Sequence, residues 1–187
     1  MSNNKQYIYV VLTQTGTMVS KTIKAFTRTP FNHVSITTDK ELSEMFSFSR
    51  FNKYRPLPAG FKNESIHTGV YGLFSSIPCE IYSFEVTDSQ LKRCNDLITH
   101  FKTKTQLYSY NLLGLLTVPL GIPLKRRTRF VCSQFVAYML TYSGIAKFNK
   151  DISLITPDDF RYLKNATLLY SGDMKQYTYS NISQITL

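Results

Sequence analysis

The sequence contains no tryptophan, and its 187 residues include only three cysteines and three histidines. Each scarcity excludes something. Cys79, Cys94 and Cys132 are odd in number and widely spaced, which excludes a disulfide framework and a thiolate zinc site. Cys79 heads a strand-like run and Cys94 sits in a helix-like one, so both read as small buried hydrophobes. No window of about 18 apolar residues occurs, so no membrane-spanning helix is expected. Charged residues make up 18%, too few for a disordered chain, and 43% are hydrophobic. With tryptophan absent, the aromatic share of the core falls to 13 Tyr and 13 Phe. Low-complexity runs, linkers and repeats are also missing, which suits one domain over residues 1–187. Its core is expected over about 7–145, with an extension over 146–187.

Acidic residues are in deficit. Twelve Asp and Glu stand against 22 Lys and Arg, for a formal charge of +10. Such a balance suits an anionic partner: nucleic acid, a membrane surface or an acidic polymer. The one basic cluster is "LKRRTR", with Lys125, Arg126, Arg127 and Arg129. No nucleic-acid recognition element accompanies it, so no specific nucleic acid is expected. The start, "MSNNKQYIYVVLTQTGT", reads as a first strand rather than as a signal peptide, and a cytoplasmic location is expected.

Alternation and β-branching mark strands at 7–13, 33–38, 44–50 and 79–86, with closing strands at "ATLLYSG" and "KQYTYSNISQITL". Helices are expected at 17–28, at 88–104 with Asp88 or Ser89 as cap, at 130–144 ended by Gly144, and at 156–163 capped by Thr156. "RFNKYRPLPAGFKNES" (50–65) carries two prolines and a glycine and reads as a long surface loop, a candidate gate. "YNLLGLLTVPLGIPL" (110–124) is apolar but broken by Gly and Pro. It is expected to wrap the core, with an acyl-chain pocket wall as the alternative. Hairpin-paired strands with helices in blocks give an α+β fold, an antiparallel sheet packed against helices.

The chemistry centres on "RRTRFVCSQFVAYML" (126–140). Cys132 stands in the first turn of a helix, just behind basic residues. A helix N-terminus and a neighbouring cation are the two arrangements that favour a thiolate. Cys132 also shares a stripe with Val136 and Leu140, which fits a packed core thiol equally well. A nucleophile needs a base. His100 lies in the polar end of a helix, His67 in a loop, and His33 heads the strand "HVSITT". A histidine at a strand end can meet a cysteine on a helix packed against the sheet.

"FNHVSITT", the following "MFSFSR" strand and, about a hundred residues later, "RFVCSQFVAYML" resemble the circularly permuted branch of the NlpC-like papain-fold cysteine peptidases. That group includes the lecithin:retinol acyltransferase relatives. In the permuted branch the histidine strand precedes the cysteine helix, as His33 precedes Cys132 here. The resemblance covers roughly residues 7 to 145. It implies a permuted papain-like fold and a thiol hydrolase or acyltransferase, with Cys132 as nucleophile and His33 as general base. The family's third polar residue falls on the strand after the histidine, which points to Ser47, with Ser49 and Glu44 as fallbacks. The Cys132 backbone N–H meets the oxyanion, and Tyr108 or Tyr110 supplies a hydroxyl near the site. Arg127 and Arg129 are candidates for substrate contact. The substrate expected is a peptide, an acylated molecule or a lipid-like one, with no metal and no cofactor. A serine cannot compensate an imidazolium charge, so a degenerate binding module for an anionic ligand stands as the alternative.

Overall fold

A computed structural model describes residues 5–15, 30–51, 58–66, 69 and 71–179, less the side chain of Leu116. The expected helix at 17–28, His67 and the last eight residues lie outside them. Strands form where alternation and β-branching predict: β1 (Gln6–Thr13), β2 (His33–Thr37), β3 (Met45–Arg50) and β5 (Pro78–Val86). The loop expected at 50–65 is corrected in its second half. Ala59–Glu64 is a strand, β4, paired antiparallel to β3. Its sequence, AGFKNE, has one large apolar residue and no alternation to betray it. It is held by backbone pairing and by Phe61, whose ring packs on Phe46, Phe48, Phe101 and Phe135. Residues 52–57, the rest of the candidate gate, lie outside the described residues.

The remaining elements are α1 (Asp88–Thr103), the two-residue strand β6 (Ser109–Tyr110), α2 (Leu112–Thr117), the two-residue strand β7 (Arg129–Phe130), α3 (Cys132–Tyr142) and β8 (Thr167–Asp173). Thr87, not Asp88 or Ser89, caps α1. Its hydroxyl accepts from Gln90 N, and Gln90 Oε1 accepts from Thr87 N, a reciprocal box that a cap one residue later would forfeit. Gly144 follows the end of α3 with φ of 72°, the left-handed turn that glycine takes without strain. Thr156 and Pro157 open a short 3-10 turn rather than an α-helix, and Met174–Gln176 forms another at the start expected for the strand over 175–187.

The six-stranded sheet runs β4-β3-β2-β1-β5-β8, and every pairing is antiparallel. With helices alongside, the fold is α+β. Residues beyond 145 contribute the edge strand β8. One face of the sheet carries Ile8, Val10, Leu12, Val34, Ile36, Phe46, Phe48 and Phe84, packed with Cys94 and Phe101 of α1 and Phe135, Val136 and Leu140 of α3. Tyr9, Val11, Met45, Cys79 and Ile81 form a smaller core with Leu42, Ile66, Tyr71 and Met174. A cluster of phenylalanine rings at 48, 61, 101, 130 and 135 fills the space between sheet and helices, with centroids 5.1–6.5 Å apart.

The apolar stretch at 110–124 departs from expectation. It folds as α2 and a 3-10 turn (Val118–Leu120), but Leu112, Leu113, Leu120 and Ile122 are exposed rather than in the core. Glycine and proline keep the segment too short and irregular to turn one face inward.

Candidate active site

β2 begins at His33, and α3 begins at Cys132. The helix lies across the sheet against β2 and β3, so the first residue of a strand and the first residue of a helix converge. The start of α3 is fixed by Gln134. Its Oε1 accepts from Val131 N (3.2 Å) and from Asn111 Nδ2 (3.2 Å), and its Nε2 donates to Ser153 O (2.9 Å). Ser133 Oγ donates to Ile155 O. Cys132 therefore occupies a braced first turn, where backbone N–H groups have no partner inside the helix. It is 9% exposed, the most open of the residues that α3 contributes to the core.

The largely buried imidazole of His33 has three polar neighbours. Its Nε2 lies 3.0 Å from Glu64 Oε2 and 3.3 Å from Ser35 Oγ, and the Cys132 thiol is its third hydrogen-bonding neighbour. Glu64, at the end of β4, is buried and fully engaged. Ser35 Oγ donates to Oε2 (2.8 Å), and Ser49 Oγ donates to Oε1 (2.8 Å). Burial alone would lower the His33 pKa. The Glu64 carboxylate and the Cys132 sulfur outweigh it and raise the imidazole to about 10. Burial alone would raise Glu64, but the His33 ring and the two serine hydroxyls hold it down to about 2. The two side chains form a buried, hydrogen-bonded ion pair at neutral pH.

Tyr71 closes the cluster on one side. Its ring lies 6.4 Å from that of His33, and its hydroxyl meets Thr13 Oγ1 at 3.2 Å. Burial, then the Glu64 charge, push its phenol well up, so it stays neutral. Tyr110 of β6 stands on the Cys132 side. Burial, then the nearby sulfur, raise its phenol too, with Arg50 acting weakly in the opposite sense.

The other sequence candidates are placed elsewhere. Ser47 is fully buried, and its hydroxyl has no hydrogen-bond partner among the described residues. It does not reach His33; Glu64 holds that position. Ser49 supports the carboxylate. Glu44 faces outward to Asn63 and Lys102. Tyr108 bonds His100 Nε2 at 2.9 Å and packs its ring at a tilt against Phe101. Arg127 and Arg129 line a groove of about 610 Å³ with Tyr138, Tyr142 and Asp151, which Cys132 does not line.

Neither Glu64 nor Tyr71 stands out in the sequence. Glu64 lies in a stretch rich in Gly, Pro and polar residues, 31 positions from His33. The one usable signal was a carboxylate soon after the hairpin that follows the histidine strand. Among the described residues no group of three or more His, Cys, Asp or Glu side chains is arranged to hold a metal ion. No helix among them is long and apolar enough to cross a membrane. No family model, no curated protein and no solved structure matches the chain.

Proposed function

We propose that the chain is a cysteine hydrolase or acyltransferase with a permuted NlpC-like, papain-type site, working through an acyl-enzyme on Cys132. The observation that carries this reading is the His33 imidazole held between a thiol at a helix N-terminus and a buried carboxylate. With Nε2 taken by Glu64, Nδ1 is the nitrogen left for the thiol. A Cys–His–carboxylate series is the arrangement that nucleophilic catalysis requires, with the third group orienting the second.

In this mechanism His33 stands as the imidazolium at neutral pH, having taken the thiol proton before substrate arrives, and the Cys132 thiolate beside it attacks an amide, ester or thioester carbonyl. The tetrahedral oxyanion lies at the α3 N-terminus, where the Cys132 N–H and the neutral Tyr110 hydroxyl are the donors at hand. Collapse expels the leaving group, which takes the proton from the His33 imidazolium and leaves an acyl thioester. Water or another acceptor then attacks as the neutral imidazole takes its proton. Sγ departs and the acid is released. Glu64 keeps the ring oriented and balances its charge throughout. That carboxylate is the feature a degenerate binding module would lack, so the enzyme reading is preferred.

Alkylation by iodoacetamide against pH, mapped to each cysteine, tests it. Cys79 and Cys94 serve as internal controls, because burial raises both thiols to about 12. At pH 6 to 7, Cys132 is expected to react at least about tenfold faster than a free thiol, and to lose that advantage in His33→Ala. If Cys132 reacts as slowly as the two controls in the folded wild type, the proposal fails.

A further inference from the structure

The segment from Leu112 to Arg129 joins two features that do not serve the core. The first is its exposed apolar edge: Leu113 is 51% exposed, Ile122 53% and Leu120 71%. The second follows at once: Lys125, Arg126, Arg127 and Arg129 within five residues. Lys125 pairs with Asp151 and remains well exposed. Among the described residues the three arginines form no ion pair with a carboxylate, in a chain whose net charge is +10.

We infer that this segment docks the protein on an anionic lipid bilayer, with the leucine edge entering the interface and the arginines meeting lipid phosphates. Burying apolar side chains in a bilayer removes them from water at about 25 cal/mol per Å² and requires no shaped partner. That suits a projecting edge of aliphatic side chains. Nucleic acid fits the arginines but not the leucines, because base stacking calls on aromatic or guanidinium planes. A cationic run beside an apolar edge is the combination that binds anionic membranes.

The edge is not free to swing away from the rest of the molecule. Asn111, the cap of α2, donates from its backbone to Phe130 O (3.0 Å) and from Nδ2 to Gln134 Oε1, and its Oδ1 accepts from Gly114 N (3.0 Å). These bonds tie the base of the segment to the first turn of α3. The docking itself does not depend on Cys132 being a nucleophile.

The test is cosedimentation of the full chain with vesicles of phosphatidylcholine, with and without phosphatidylglycerol, at low and high salt. Binding is expected only where phosphatidylglycerol is present, and Cys132→Ala is expected to bind as wild type does. Replacing Arg126, Arg127 and Arg129 together by Gln is expected to weaken partitioning by about a hundredfold. Leu120→Asp with Ile122→Asp is expected to weaken it at least about tenfold while leaving the melting temperature unchanged, since both side chains are solvent-exposed. Leu120→Trp gives the chain its only tryptophan, whose emission is expected to shift to the blue on vesicles. No binding to anionic vesicles overturns the inference. So does binding that ignores the Leu120 and Ile122 changes, and so does tighter binding to duplex DNA with the same indifference to those two residues, which would make the surface a nucleic-acid site.

Discussion

The two flanks of the α3 N-terminus treat charge in opposite ways. On one, His33 and Glu64 are buried and satisfied by each other, by Ser35 and Ser49, and by the Cys132 thiol. On the other, Arg126, Arg127 and Arg129 form no ion pair with a carboxylate among the described residues, and they follow in the chain on leucines that the core does not cover. Charge sealed inside a fold costs desolvation and persists only where every partner is in place. Charge left at the surface costs the fold little and contributes little to it. The proposed chemistry rests on the first flank, and the proposed docking on the second.

Removing one member of the sealed pair should have the largest effect. Glu64→Gln leaves His33 buried without its counter-charge, and a loss of about 3–5 kcal/mol of stability is expected by denaturant unfolding. The difference from wild type should depend on pH in a defined sense. Glu64 lies below its usual value of 4.5 and His33 above its usual 6.5, so the contribution is complete between them. It fades as pH falls toward about 2, where folded Glu64 gains a proton, and as pH rises toward about 10, where folded His33 loses one. The imidazole resonance of the variant should titrate well below that of wild type. A pH-independent stability difference would mean that Glu64 acts by packing rather than by charge.

How much of this the sequence discloses depends on the range of the interaction. β1, β2, β3 and β5 are legible because alternation and β-branching are local, and α3 because its apolar residues recur at helical spacing and Gly144 stops it. His33 at a strand head and Cys132 at a helix start are also local facts. Their meeting with Glu64 is not, because it depends on β4 pairing with β3, and AGFKNE carries no strand pattern of its own. The segment at 110–124 misled for the opposite reason. Its composition is that of a core, but burial depends on whether a face can be turned inward, and Gly114, Pro119 and Pro123 interrupt every such face.

A smaller effect belongs to the mouth of the site. Tyr110 stays neutral beside Cys132 and is proposed as an oxyanion donor. Tyr110→Phe removes only the hydroxyl, so a loss of about a hundredfold in kcat with KM little changed is expected once a substrate is identified. Its alkylation rate at Cys132 should remain near wild type, since alkylation forms no oxyanion. If both rates fall together, Tyr110 supports the thiol rather than the transition state.

The smallest effect is expected at Ser47, the position that strand counting favours for the third residue of the site. Its hydroxyl is buried with no partner among the described residues, whereas Ser49, two residues on, donates to Glu64. An unpaired buried hydroxyl already carries its desolvation cost, and deleting it relieves that cost while opening a space smaller than a water molecule. Ser47→Ala is therefore expected to alter stability by less than about 1 kcal/mol, in the stabilising direction or none, and to leave the Cys132 alkylation profile unchanged. Ser49→Ala, by contrast, leaves Glu64 Oε1 without its donor and should raise the carboxyl pKa. If Ser47→Ala slows Cys132 while Ser49→Ala does not, then the ring is oriented from the middle of β3 and not through Glu64, and the assignment of the third residue reverses.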